Sequence, residues 1–423
     1  MFDQSSRLRP KRGPGRRGRI PILLIISGLH LALTERRSPI GKCLANYEVC
    51  QFLVLGGHST TCVARSREED LIRIGIIGVG YWGPNLIRNF SDVDDATVVA
   101  CCDLSQERLR RIERHHRGVR CTTRYEDLLT DPNVDAVVIS TPVSTHFPIA
   151  KAALEHGKHV LIEKPLTDSS ENALALVELA RRVNRTIMVD HTFIYTSPVR
   201  KIRELIDSGE LGEILYFDSV RINLGLFQKD VNVIWDLAPH DLSIMDYLLR
   251  AEPVAISAIG ASHAGNGIAN IAYMTLRFEN NLIAHFHVNW LAPVKIRQTL
   301  IGCSKKMVVY DDVEPTDKVR VYDKGIVVNG SPEKRYQTLV GYRTGDVLIP
   351  KIDTTEALQR VAQEFVASIN ESRTPLTDGV AGYRVVRLLE AAQKSLEANG
   401  KEVLLSDLKA VQRLVAEREA VRS

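Results

Sequence analysis

Ile72-Arg73-Ile74-Gly75-Ile76-Ile77-Gly78-Val79-Gly80-Tyr81-Trp82-Gly83 is the stretch on which the fold turns. Its first six residues form a short apolar, β-branched run, the kind that fills a strand buried on both faces of a parallel sheet. The run leads directly into G-x-G-x-x-G, and a helical segment follows to Phe90. Each glycine has its own task. Gly78 permits a tight turn, Gly80 lets the backbone come close to a pyrophosphate, and Gly83 lets the helix pack closely on the strand. The helix N-terminus then offers free N–H groups and the positive end of its dipole to phosphate oxygens. Tyr81 and Trp82 lie within this loop and join the candidate cofactor contacts.

Outward from this loop, strands and helices keep alternating. A second apolar strand, residues 96–102, ends at Asp103, twenty residues after Gly83. A carboxylate there accepts hydrogen bonds from the adenosine ribose and repels a 2′-phosphate, which favours NAD over NADP. Residues 136–139 and 159–162 read as further strands, with Gly157 between them as the C′ residue of a helix. Asp168-x-x-Glu171 resembles a capping box opening a helix to Asn184, and residues 186–189 form the last strand. Strands alternating with helices in this way make a doubly wound parallel sheet, a Rossmann domain over residues 71–190.

Beyond residue 190 the pattern changes. A helix at 197–208 is followed by strand-like segments at 214–223, 254–263, 271–279, 282–290, 296–302 and 305–310. No helices separate the last five, so this sheet reads as antiparallel. From residue 354 three helices are predicted, the middle one at 382–399 with a core stripe of Val385, Val386, Leu388, Leu389 and Ala392. The predicted fold is α/β: the N-terminal Rossmann sheet plus a C-terminal α/β domain, residues 191–423, with a large, mostly antiparallel sheet. A chain of 423 residues is long enough for two cores.

The composition, 44% hydrophobic and 25% charged, is that of a soluble globular protein. Its net charge of +4 comes from residues 1–20, where seven basic side chains face Asp3 alone; the remainder stands at −2. A near-neutral body argues against a nucleic-acid partner. Seven cysteines without a C-x-x-C pair suit a reducing, cytoplasmic setting. Residues 1–70 read as a disordered basic leader, or as upstream sequence translated from a misplaced start. The apolar run at 20–33 is too short to span a membrane as a helix. Arg16-Arg17 keeps a twin-arginine signal, and with it a periplasmic location, as the alternative.

Glu163-Lys164-Pro165 stands at the end of the strand at 159–162. With Thr141-Pro142, His146 and Gly157-Lys158-His159-Val160 it resembles the Gfo/Idh/MocA family of sugar and polyol dehydrogenases, over about residues 72–405. That resemblance adds Thr141, Pro142, His146 and Glu163 to the cofactor contacts. It implies that Lys164 reaches the nicotinamide ribose and the reacting hydroxyl. A lysine at the carboxyl edge of a parallel sheet faces the ligand crevice, where it can stabilise an alkoxide or accept a proton. In Trp235-Asp236-Leu237-Ala238-Pro239-His240 the resemblance implies a D-x-x-x-H pair with His240 as general acid/base. Pro239 suits the first turn of a helix, which predicts His240 near a helix N-terminus whose dipole disfavours the imidazolium. Asp236 would orient that ring or pull its pKa back upward.

Three further positions are candidate substrate contacts. Tyr195 borders the nicotinamide by family analogy. Arg221 and Asn223 share a strand face and can grip a phosphate or sugar hydroxyls, or simply face solvent. His285-x-His287 has no third ligand in view and reads as packing rather than a metal site. The segment 219–227, running on to the Trp235 motif, resembles members acting in nucleotide-sugar metabolism. The resemblance therefore implies NAD-dependent oxidation at C3 of a UDP-N-acetyl-hexosamine or its uronate, in a homodimer or homotetramer. An NAD-dependent glycosidase using transient C3 oxidation is one competitor. A non-catalytic NAD-binding regulator is the other, although it should lack the Lys164, Asp236 and His240 set.

Overall fold

The computed structural model describes residues 50–55, 59–64, 71–225, 231–263, 267–329 and 339–405. Its contacts divide the chain into two units, Met1–Glu69 and Asp70–Ser423. Within the first, β1 (Cys50–Leu55) and β2 (Ser59–Ala64) form an antiparallel hairpin. The sequence shows no clear pattern there. The basic stretch, the Arg16-Arg17 pair and the apolar run at 20–33 lie outside the described residues.

The second unit begins with a six-stranded, wholly parallel sheet. Its strands are β3 (Ile72–Ile77), β4 (Ala96–Cys102), β5 (Arg120–Thr122), β6 (Ala136–Ile139), β7 (His159–Glu163) and β8 (Ile187–Asp190), in the order β5-β4-β3-β6-β7-β8. All four residues of β6 and of β8 are buried, which explains why these segments read as unbroken apolar runs. Helices α1 (Gly83–Ser91), α2 (Gln106–His115), α3 (Glu126–Leu129), α4 (His146–Glu155) and α5 (Ser170–Arg182) connect the strands. The strand order reverses between β3 and β6, and in such sheets ligands bind outside the carboxyl ends at that point. Gly157 has φ +73 just after α4, as a C′ glycine should. The cap of α5 differs from the predicted box. Ser169, not Asp168, accepts the N–H of Asn172, because the strand-to-helix turn runs one residue longer.

After α6 (Ser197–Asp207) the chain builds a nine-stranded sheet ordered β18-β15-β14-β13-β9-β12-β11-β10-β19. These are β9 (Ile214–Leu224), β10 (Ala255–Ala261), β11 (Ile271–Arg277), β12 (Ile283–Asn289), β13 (Leu291–Cys303), β14 (Met307–Asp311), β15 (Val319–Tyr322), β18 (Val347–Leu348) and β19 (Val403–Leu404). The strands β16 (Gly325–Asn329) and β17 (Leu339–Arg343) pair separately. The large sheet is mixed: β9 and β12 run parallel, while its other pairs are antiparallel. Along β11, Ala272, Met274 and Leu276 are buried while Tyr273 and Arg277 are exposed, the alternation of a sheet covered on one face. Helix α7 (Val233–Leu249) lies on the covered face.

From residue 354 the described chain holds two helices, α8 (Ala357–Asn370) and α9 (Gly379–Glu397), where the sequence suggests three; residues 406–423 lie outside the described residues. Helix α8 returns to the parallel sheet, where Phe365 meets Phe90 edge-to-face at 6.2 Å. Helix α9 starts earlier than predicted because Asp378 caps it, accepting the Ala381 N–H at 2.9 Å. It packs so closely under β8 that a Cβ on Gly382 would stand 2.6 Å from Val189 Cγ2. No described helix is long and apolar enough to cross a membrane.

Candidate active site

The glycine loop lies at the carboxyl edge of β3. Gly78 has φ +93, and a Cβ there would stand 2.6 Å from the Ser140 carbonyl oxygen, so the turn excludes any side chain. A Cβ on Gly83 would stand 2.8 Å from Val79 Cβ. Gly80 differs: the nearest atom to a Cβ there is Arg108 Nη1 at 3.6 Å, which leaves its backbone open to a close-approaching group. Asp103 is buried at the end of β4 and ties the loop down, accepting the Val79 N–H at 2.9 Å and the Ser105 N–H at 2.8 Å. Arg108 approaches the same carboxylate at 3.5 Å. Tyr81 and Trp82 project outward, 86% and 50% exposed, which leaves them free to cover a bound molecule. An open glycine, a helix N-terminus and a loop-anchoring acid fit a dinucleotide.

Thr141 and Pro142 follow β6 across the switch point, and the Thr141 hydroxyl lies 2.7 Å from that of Thr145. His146 is buried with its ring nitrogens 2.9 Å from the Pro165 carbonyl and 2.8 Å from the Thr141 carbonyl. It ties this turn to the Lys164 loop and presents no ring nitrogen to a ligand. Burial lowers its pKa.

Lys164 lies just beyond the carboxyl end of β7, half-buried by surface area and densely surrounded by protein. Its ammonium donates to the main-chain carbonyl of Asp236 at 2.9 Å, joining the two sheets' elements. Behind it, Glu163 on β7 and Asp190 on β8 are register partners. Burial, and then Asp190, pushes the Glu163 carboxyl up to about 8; burial alone pushes Asp190 up to about 6. Asp190 accepts the Thr192 hydroxyl at 2.7 Å. Next to it, His191 is buried with neither ring nitrogen partnered among the described residues, and burial pushes it down to about 3. Burial also lowers Lys164, against the upward pull of Asp236 and Glu163.

Helix α7 supplies the other wall. Asn232, its N-cap, accepts the N–H groups of Ile234 and Trp235. Pro239 therefore lies inside the helix, not in its first turn, and His240 sits a turn further on than predicted. The terminal dipole no longer explains a neutral ring. Burial does so, followed by the cations Lys164, Arg221 and Arg297, which together hold His240 well below the usual histidine range. Pro239 has no N–H for the Trp235 carbonyl, and Lys164 bonds the carbonyl next to it. The Asp236 carboxylate accepts the Trp290 indole N–H at 2.9 Å. Phe193 meets the His240 ring edge-to-face at 4.9 Å.

Lys164, Asp236 and His240 thus come together beyond the carboxyl end of β7, two strands from the β3 that carries the glycine loop. Tyr195 does not join them: it is fully buried in the parallel sheet's core, its hydroxyl 3.0 Å from that of Thr377. Its phenolic end faces packing, not the crevice. Arg221 does reach the site, but Asp241 holds it bidentately at 2.7 and 2.9 Å. Asn223 lies half-buried two residues along the same strand. His285 and His287 flank Tyr273 in a stacked row on the exposed sheet face, with ring centroids 6.2 and 4.4 Å from it. Sequence reasoning missed Asp190, His191, Phe193, Trp290 and Arg297. Only the polar pair ending the apolar strand β8 gave a local signal; Phe193 follows in the adjoining turn, and Trp290 and Arg297 arrive from the distant large sheet.

A model of the oxidoreductase family, NAD-binding Rossmann fold (GFO_IDH_MocA), matches residues 72–191. A model of the GFO/IDH/MocA C-terminal domain matches residues 199–309. The chain is similar to the UDP-N-acetylglucosamine 3-dehydrogenase of Acidithiobacillus ferrooxidans, 29% identical over 331 residues that cover 77% of this chain and 98% of that one. A solved structure of such an enzyme from the same organism matches with a TM-score of 0.64 at 27% identity, again over 77% and 98% of the two chains. The myo-inositol 2-dehydrogenase of Thermotoga maritima is 24% identical over 337 residues, 77% of this chain and 96% of that one. An oxidoreductase from Agrobacterium radiobacter, solved in complex with NAD+, L-tartaric acid and magnesium, shares the fold with a TM-score of 0.68 at 19% identity, covering 80% and 99%.

Proposed function

The chain belongs to the Gfo/Idh/MocA oxidoreductase family, and from that premise we propose that it oxidises a secondary sugar hydroxyl, C3 of a UDP-N-acetyl-hexosamine or its uronate, with NAD as acceptor. The observation that carries this reading is the bond from Lys164 Nζ to the Asp236 carbonyl, which brings the lysine to the helix that carries His240, at the carboxyl edge where the glycine loop lies. Asp103, Gly78, Gly80 and Gly83 would hold the dinucleotide, with Tyr81, Trp82, Thr141, Pro142 and Glu163 lining its path. Bound there, the nicotinamide supplies the hydride acceptor.

The protein's own contribution is to place and move a proton. Loss of hydride from carbon makes the hydroxyl strongly acidic, so an unprotonated base must stand beside it. Burial lowers both Lys164 and His240, so both reach the neutral, accepting form more easily than their free side chains do. Lys164, whose charge Asp236 and Glu163 still favour, also stabilises a developing alkoxide. Asp236, fixed by the Trp290 N–H, holds the helix turn that presents His240. The similarity to a UDP-N-acetylglucosamine 3-dehydrogenase over 98% of its length supports the choice of sugar. The Asp103 carboxylate, one oxygen of which meets the loop at Val79, supports NAD over NADP.

NADH formation across a panel of UDP-sugars, their uronates and myo-inositol tests this. UDP-N-acetylglucosamine or its uronate should give the largest kcat/KM. Equal, background rates for every UDP-sugar would overturn the substrate assignment.

A further inference from the structure

Arg221 on β9 and Arg297 on β13 are direct cross-strand partners. Their guanidinium carbons lie 4.5 and 5.9 Å from the centroid of one ring, Phe193, which in turn packs against His240. Like charges placed directly opposite on adjacent strands repel, and a sheet without use for them would avoid the pairing. Neutralisation here is incomplete. Asp241 takes Arg221 bidentately, whereas among the described residues the Arg297 guanidinium has one carboxylate partner, Asp312, with Nη1 at 3.3 Å. Asp312 is shared with Lys318 at 3.9 Å and accepts the Tyr310 hydroxyl at 3.2 Å. Among the described residues, Arg221, Arg297 and Lys318 thus share the carboxylates of Asp241 and Asp312.

Two donors are left over. Arg221 Nη1 and Arg297 Nε are buried and find no partner among the described residues. Buried charged donors without acceptors are costly, and at a crevice wall they mark where a ligand atom belongs. The backbone is also adapted to this end. The pairing of β13 passes from Leu291↔Leu224 to Ile296↔Ile222, an irregularity that ends one residue before Arg297. Such interruptions re-aim side chains beside binding sites.

We infer that Arg297 and Arg221 together bind an anionic group of the substrate, a ring carboxylate or a phosphate, which accepts from Arg297 Nε and Arg221 Nη1. This rests on the dehydrogenase reading above and deepens it. Asp241 holds Arg221 in place, so the more weakly held Arg297 is the specificity-determining residue.

The test is calorimetric binding of UDP and of glucuronate to the NAD-loaded protein, wild type and Arg297→Gln. Binding needs no turnover. If the dehydrogenase reading alone fails, NADH formation will be absent while anion binding persists. The inference expects at least one anion to bind, and Arg297→Gln to weaken it by about tenfold or more while NAD affinity stays the same. An effect on UDP alone identifies a phosphate, and an effect on glucuronate alone a ring carboxylate. If Gln also disturbs NAD binding, Arg297→Lys decides, because it keeps the charge and should retain part of the anion affinity. The inference is overturned if neither anion binds the wild type, or if both bind the variants as tightly as the wild type.

Discussion

The two walls of the crevice are built in different ways. The parallel-sheet wall is mostly backbone and a few contiguous motifs: the glycine turn, Asp103, the Thr141-Pro142 turn and the Glu163-Lys164-Pro165 loop. Its geometry follows from where glycines are tolerated and where buried strands end. The opposite wall is assembled from side chains far apart in sequence: Phe193, Arg221, His240, Trp290 and Arg297. Local rules dictate the first wall, and only tertiary packing sets the second. On the proposed function, the first wall would hold the dinucleotide and the second would select the substrate.

Lys164 belongs to the first wall and bonds to the second, so its loss should have the largest effect. Lys164→Ala should lower kcat for NADH formation by about 10²- to 10⁴-fold. NAD affinity, measured by fluorescence titration, should stay within a few-fold, because the glycine loop is untouched. A kcat close to wild type would break the comparison by showing that the walls do not meet at this residue. Asp103→Ser should have a smaller, selective effect. Removing the carboxylate leaves Arg108 free to meet a 2′-phosphate, and the NADP/NAD ratio of kcat/KM should rise by about tenfold or more. Unchanged cofactor preference would remove Asp103 from the first wall's recognition set.

A subtler test separates the charge behind Lys164 from the lysine itself. Activity should rise with pH as the base loses its proton. Glu163, once ionised above about 8, raises the Lys164 pKa. Glu163→Gln removes that pull, so the rising limb of log kcat should move to lower pH. A shift to higher pH would contradict the assignment. His240 is held well below the usual histidine range, so wild type should show no limb near the free imidazole value. The smallest effect is expected away from both walls. Ser169→Ala removes the α5 cap, should lower stability by about 1 kcal/mol in denaturant unfolding, and should leave kcat alone.

How much of this is legible in the sequence follows the same division. The run from Ile72 to Gly83, with Asp103 twenty residues on, predicts β3, the turn and α1, because buried strands and glycine turns are local. The large sheet is also visible, through alternation such as that along β11. Its parallel pair β9–β12 is not, since strand direction depends on connections that periodicity does not encode. Pro239 misleads for a related reason: proline is usually confined to a first turn, and here Asn232 caps the helix earlier. Tyr195 looks available for a ligand until Thr377, far along the chain, takes its hydroxyl. Lys164, Asp236 and His240 are readable through the resemblance, while the Arg221–Arg297 partnership requires the register of two strands.

The most direct test of the shared crevice is the single-turnover rate of NAD reduction in Lys164→Ala, His240→Ala and the double variant, with UDP-N-acetylglucosamine. If both residues act on one proton, each single variant should be slowed by orders of magnitude. The double variant should then be little slower than the worse single one. Wild-type rates in both single variants would contradict the proposal outright.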